Sequence, residues 1–251
     1  MVHHVMIAME ESVPNVRRFK TWCDVQSRTW TVVRGHRVDS IQDMKPYLTP
    51  YGLYNIQRRR ETSMHFDRSG PVGCFLSHRS VWQMCVDRQE DMWVFEEGVT
   101  DYQSRQFQEL DEREEHLDLI LGHTICVLRF IRQCSVRGSV VGTGVNSIDK
   151  IYFGTKCYRI SPRFARHLLD SSEQFDMHVD SFICVMAMAT DSMRTARTVQ
   201  NIVTAASSGK INHTLDAGLV VNLYMTGIIV VFLFLISGMI LLRKRGGQVT
   251  R

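Results

Sequence analysis

No pair among the seven cysteines of this 251-residue chain has CxxC spacing; Cys23, Cys74, Cys85, Cys126, Cys134, Cys157 and Cys184 are scattered and odd in number. That pattern argues against a disulfide framework and against a zinc knuckle, and reduced thiols are expected. Cys74 and Cys85 fall in one helical stretch, where eleven residues at about 1.5 Å each hold them roughly 16 Å apart, too far for a bridge. A strong charge of either sign is also missing. Thirty Lys and Arg against 26 Asp and Glu leave a formal net charge of +4, part of it in Arg243, Lys244 and Arg245 near the C-terminus. Nucleic acid is therefore not an expected partner. The opening MVHHVMIAMEESVPNVRRF has neither the charged start nor the continuous apolar run of a signal peptide, and it reads as the first strand of a fold. No internal repeat is present.

What the sequence does have is an apolar share of 44%, enough for one sizeable core. It also has an uncharged run, Leu219 to Leu242 (LVVNLYMTGIIVVFLFLISGMILL). That length matches the roughly 30 Å of a bilayer's hydrocarbon, so the expectation is a single-pass transmembrane helix with the membrane as a partner. The domain reading is a globular domain over 1–204, a polar linker over 205–218, the span over 219–242 and a short basic tail over 243–251. The basic tail would sit in the cytosol by the positive-inside rule. The missing signal peptide and the reduced cysteines point instead to a tail-anchored protein whose globular domain faces the cytosol, and this orientation is the one expected.

Within 1–204 the apolar run His3 to Met9 suits a buried strand. Val13, Val16 and Cys23 follow at helical spacing, and Thr29 to Gly35 reads as a second strand. This β-α-β opening builds parallel sheets. Residues 40–69 show no clean period and read as loop and short helices. From Gly73 to Val86, Cys74, Phe75, Val81, Trp82 and Cys85 share one side of a helix, with His78 inside the stripe. His78 and its neighbour Arg79 are candidates for a site; a histidine hydrogen-bonded within a helix-sheet interface is the alternative.

Asp91 to Val99 (DMWVFEEGV) reads as a strand ending in two carboxylates and a bend at Gly98. Acidic groups where a strand of an open α/β sheet emerges are suited to a nucleotide and metal site, since ligands bind beyond the strands' carboxyl ends. A charged helix is expected over 105–118, strands over 117–128 and 158–160, and a helix over 162–169 with Ser161 as N-cap and Pro162 at its first position. Asp180 opens a buried apolar segment, either as a helix N-cap or as a functional carboxylate.

Four blocks of the sequence, taken in order, resemble glycosyltransferase family 25, which includes lipooligosaccharide glycosyltransferases of bacteria and procollagen galactosyltransferases of animals. Gly70 to Trp82 (GPVGCFLSHRSVW) is similar to the family's G-x-x-G-C-x-x-S-H motif, and Val94 to Val99 (VFEEGV) to its strand ending in Glu-Asp-Asp. Leu117 to Gly122 (LDLILG) resembles its Asp-containing strand, and Gly154 to Leu169 (GTKCYRISPRFARHLL) its G-T-x-x-Y-x-I-S block, followed by His178 to Asp180.

The resemblance implies a GT-A-like nucleotide-sugar-binding domain with a mostly parallel central sheet. It also implies a UDP-sugar donor, a divalent cation such as Mn²⁺, and an acceptor hydroxyl on a glycan, a lipid-linked sugar or a hydroxylated protein, with lipopolysaccharide biosynthesis as a setting. On that account Glu96, His78 and Arg79 face the donor, Glu97 holds the metal and serves catalysis, and Asp180 works on the acceptor side or as base. Gly98 departs from the pattern, because it stands where the family has its second Asp. Positions 96 and 98 of an extended strand share a face, so Glu97 can supply the missing ligand only if the backbone turns. Three outcomes stay open: a rearranged acidic site, a metal-independent transferase, and a degenerate fold that acts as a binding or interaction module.

Overall fold

The structure is a computed structural model that describes residues 2–10, 13–59, 65–113, 116–124, 144–148 and 152–205. These form an α/β domain around a seven-stranded sheet. The chain begins with strand β1 (His3–Ala8), helix α1 (Pro14–Val25) and strand β2 (Trp30–Arg34), and β1 pairs β2 in parallel. The aperiodic stretch that follows holds α2 (Ile41–Met44), one turn of 3-10 helix over Lys45–Tyr47, and α3 (Pro50–Arg58). Helix α4 (Ser69–Arg88) leads to β3 (Met92–Glu96), which lies parallel to β1 on the side opposite β2.

After β3 the chain turns at residues 97–98 into β4 (Val99–Tyr102) and α5 (Ser104–Asp111). Then come β5 (Leu119–Leu121), β6 (Val145–Ser147), β7 (Cys157–Ile160), α6 (Pro162–Ser171), α7 (Val179–Met188), β8 (Thr195–Thr198) and β9 (Val203–Ala205). The sheet order is β2-β1-β3-β7-β5-β8-β6, and β4 pairs β9 separately. Strand β7 runs antiparallel to both β3 and β5, β8 runs parallel to β5, and β6 runs antiparallel to β8. Five strands thus point one way, while β7 and β6 oppose them.

Strand alternation divides the core into two layers, because successive side chains of a strand point to opposite faces. Val5, Ile7, Met92 and Val94 pack with Phe75, Val81 and Trp82 of α4 and with Phe164 and Phe182 of α6 and α7. Met6, Ala8, Trp93 and Phe95 pack on the other face with Phe19 of α1 and Phe107 of α5. The charged helix expected over 105–118 stops at Asp111. After Leu110 no apolar residue comes until Leu117, so a longer helix would have no face to bury.

One part of the expected fold class is corrected. Among the described residues no helix is long and apolar enough to cross a membrane, and those residues form the α/β domain alone. The 20-residue α4, long enough by count, carries His78, Arg79, Asp87 and Arg88. The segment 219–242, with the linker after Ala205 and the basic tail, lies outside the described residues.

Candidate functional site

Strands β1, β2 and β3 run side by side in one direction, and their carboxyl ends open onto two adjoining clefts of about 530 and 370 Å³. Both clefts are lined by Met9, Gly35, His36 and Arg37. The larger also takes in Arg34, and the smaller takes in Cys74, Ser77 and His78 of α4 with Glu96 and Glu97 at the end of β3.

The motif on α4 seats this helix against the loop after β2. A Cβ on Gly73 would stand 2.5 Å from the His36 carbonyl oxygen, a contact only glycine permits. One turn later the Ser77 hydroxyl donates to the Gly73 carbonyl and accepts the His36 N–H, both at 2.7 Å. These contacts place the His78 ring, fully buried, above β7. Trp82 Nε1, which can only donate, donates a hydrogen bond to the Tyr158 hydroxyl at 3.0 Å, and that hydroxyl lies 2.8 Å from His78 Nδ1. Assigning the Tyr158 proton to Nδ1 leaves the proton of His78 on Nε2, 3.5 Å from Glu96 Oε1. His78 is thus both an interface histidine and the backing of a cleft carboxylate.

Glu96 is gripped from the turn that leads into β7. Thr155 Oγ1 donates to Oε1 at 2.5 Å and Lys156 Nζ to Oε2 at 2.6 Å. Burial opposes ionisation of Glu96, but the His78 ring and the Lys156 ammonium outweigh it and hold the carboxyl well below the usual range. At 3.5 Å the His78 contact is electrostatic rather than a formed hydrogen bond, so Lys156 is its strongest partner. Burial likewise opposes the charge on Lys156, and Glu96 overcomes it, raising the lysine's pKa.

Glu97 goes elsewhere. The backbone does turn at 97–98, yet Glu97 Oε2 accepts the Met9 N–H at 2.8 Å and the Glu97 carbonyl accepts from Asn15 Nδ2 at 2.9 Å. Its carboxylate lines the smaller cleft together with Glu96 and lies near enough to Lys156 to favour the charged ammonium. Asp180, in the first turn of α7, accepts the Gly154 N–H on Oδ2 at 3.0 Å and the Ser181 N–H on Oδ1 at 2.8 Å. Burial raises its pKa against those hydrogen bonds. Its contact is with the turn that delivers Thr155 and Lys156 to Glu96; Gly154 there has φ of 100°, a conformation suited to glycine. Arg79 is half-buried on α4 and lines neither cleft.

As placed, the residues do not fit the divalent cation that the motif implies. Glu97 has one oxygen, Oε2, taken by the Met9 N–H, Gly98 has no side chain, and both oxygens of Glu96 are engaged. Among the described residues the group with cation-binding geometry is Cys74, His78 and Glu96, whose ligand atoms lie within 4.8 Å of one another. There burial, with the Glu96 and Asp180 carboxylates, pushes the Cys74 thiol far above its ordinary value, and the proton it keeps opposes ligation. Thr155 and Lys156, the closest partners of Glu96, escaped sequence reasoning. Their signal is the GTK of residues 154–156, which stands inside a recognised block but carries no spacing that ties it to Glu96.

Residues 68–183 match the family model of glycosyltransferase family 25 (LPS biosynthesis protein), in agreement with the resemblance of the motifs. The match takes in α4, β3 and β7, and with them the cleft residues Cys74, Ser77, His78, Glu96 and Glu97. No curated protein matches the chain.

Proposed function

We propose that this chain, a glycosyltransferase of family 25 type over residues 68–183, moves a sugar from a UDP-sugar donor to a hydroxyl of a glycan, lipid-linked or protein acceptor. The observation that carries this reading is the cleft beyond the carboxyl ends of β1, β2 and β3, with Glu96 and Glu97 on its wall. Open α/β sheets bind nucleotides at such a place. The donor's negative phosphates meet His36, Arg37 and Arg34 at the cleft rim. Glu97, facing the cleft, takes the proton of the acceptor hydroxyl. The acceptor oxygen then bonds to the sugar's anomeric carbon as the bond from that carbon to the phosphate oxygen breaks, and the nucleoside diphosphate leaves with the electron pair. Asp180 acts as a positioning residue through the turn at Gly154.

The test is a panel of nucleotide sugars offered to the full chain, with release of the nucleoside diphosphate as readout. Turnover of a UDP-sugar is expected, and Glu97→Ala should lower the rate by about 10²–10⁴-fold, the usual contribution of a general base. Equal turnover in the variant would remove Glu97 from the chemistry. A second reading, a binding module that has lost catalysis, is favoured by Gly98, which leaves the acidic motif one carboxylate short. It expects UDP to bind and no donor to be consumed, with or without acceptor.

A further inference from the structure

The disagreement between the acidic motif and its expected cation has a physical counterpart in one side chain. Lys156 Nζ lies 2.6 Å from Glu96 Oε2, and a Cβ built on Gly98 would stand 3.3 Å from the same nitrogen. The position of the missing carboxylate therefore faces the ammonium. A divalent cation held by two carboxylates is a neutral set, and so is one ammonium on one carboxylate. Loss of the carboxylate at 98 and presence of a cation at 156 leave the local charge where two carboxylates and a metal would have left it.

The segment that carries the ammonium is fixed at three points. Asp180 fixes the Gly154 N–H, Thr155 binds the other oxygen of Glu96, and the Lys156 carbonyl accepts the Glu96 N–H at 3.1 Å. Lys156 is not itself among the residues lining either cleft and borders the smaller one through Glu96; among the described residues its ammonium donates to Glu96, which leaves two of its three N–H groups for a ligand, and its side chain is 20% exposed. We propose that Lys156 is the fixed cation of the donor site, contacting the diphosphate in place of a divalent metal, so that UDP binds without one. This rests on the reading of the cleft as a nucleotide-sugar site.

The test is calorimetric titration of the full chain with UDP, in EDTA and in Mn²⁺. The wild-type Kd is expected to agree within about twofold between the two conditions, and Lys156→Met to weaken binding in both by about tenfold or more, the loss of one charge-assisted contact. Lys156→Arg keeps the charge and should restore most of the affinity. Should Lys156→Met not fold, Gly98→Asp decides: its carboxylate would capture the ammonium and weaken UDP binding in EDTA, and unchanged binding would overturn the proposal. Wild-type binding that needs Mn²⁺, or Lys156→Met binding as tightly as wild type, also overturns the role of Lys156 and leaves the donor cleft standing. Absence of UDP binding in either condition overturns both.

Discussion

The Tyr158 hydroxyl joins three buried groups of the site, since it accepts from Trp82 Nε1, meets His78 Nδ1 and so bears on whether the ring nitrogen facing Glu96 carries the proton. Tyr158→Phe removes the hydroxyl and leaves Trp82 Nε1 and His78 Nδ1 without their partner in a region closed to water. Each orphaned buried group costs about 1–3 kcal/mol, so urea unfolding should show a loss of at least that size. A midpoint equal to wild type would mean that the three side chains are not coupled as drawn. At this scale the sequence was informative about identity and poor about partnership. His78 could be picked out of the helical stripe, and its place as a hydrogen-bonded histidine of the helix-sheet interface is what the fold shows. Glu97 could not be placed, because its partner Met9 is 88 residues away and a backbone N–H leaves no mark in the sequence.

The meaning of an element lies in how closely it can approach its neighbour, and α4 shows this with two glycines. Gly73 lies against the His36 carbonyl, whereas a Cβ on Gly70 would meet nothing within 4 Å. Gly73→Ala should force α4 away from the loop after β2 at a cost of about 1–3 kcal/mol, with weaker UDP binding because Ser77 and His78 move with the helix. Gly70→Ala should be neutral or stabilising by up to about 1 kcal/mol, since it restricts the unfolded chain without a clash. Thermal unfolding of the two variants side by side checks this, and equal behaviour would remove the close-approach account. The helix, the parallel opening of the sheet and the Ser161 cap were legible because periodicity and capping are local. The separate β4-β9 pair was not, since its partners are about a hundred residues apart and only three or four residues long.

For the whole molecule, stability should depend on pH through the first strand. His4 is buried beside Trp22 and Phe95, with Arg28 2.9 Å from its Nε2. Burial first, and the Arg28 charge second, lower its pKa from 6.5 to about 3. The unfolded chain then binds a proton that the folded one refuses between these values. This contribution is complete above pH 6.5 and is lost as pH falls toward 3, with about 2 kcal/mol gone by pH 5. Chemical denaturation at pH 7 and pH 5 should show that difference, and His4→Gln should shrink it by about the same amount; an unchanged slope in the variant would assign the acid sensitivity to other groups. Buried His4 was visible in the sequence as part of an apolar strand, but its protonation depends on Arg28, which comes from the loop before β2.

Lys156 stands at the entry to β7, the strand that runs between β3 and β5 against their direction. A charge carried on a turn anchored to the sheet has a local concentration fixed by the fold, independent of what is dissolved outside. In the role proposed for it, UDP leaves without taking a counterion along. The emptied site then stands ready for the next donor without first recruiting an ion from solution, and competition between UDP and donor would read the same in metal-rich and metal-starved surroundings.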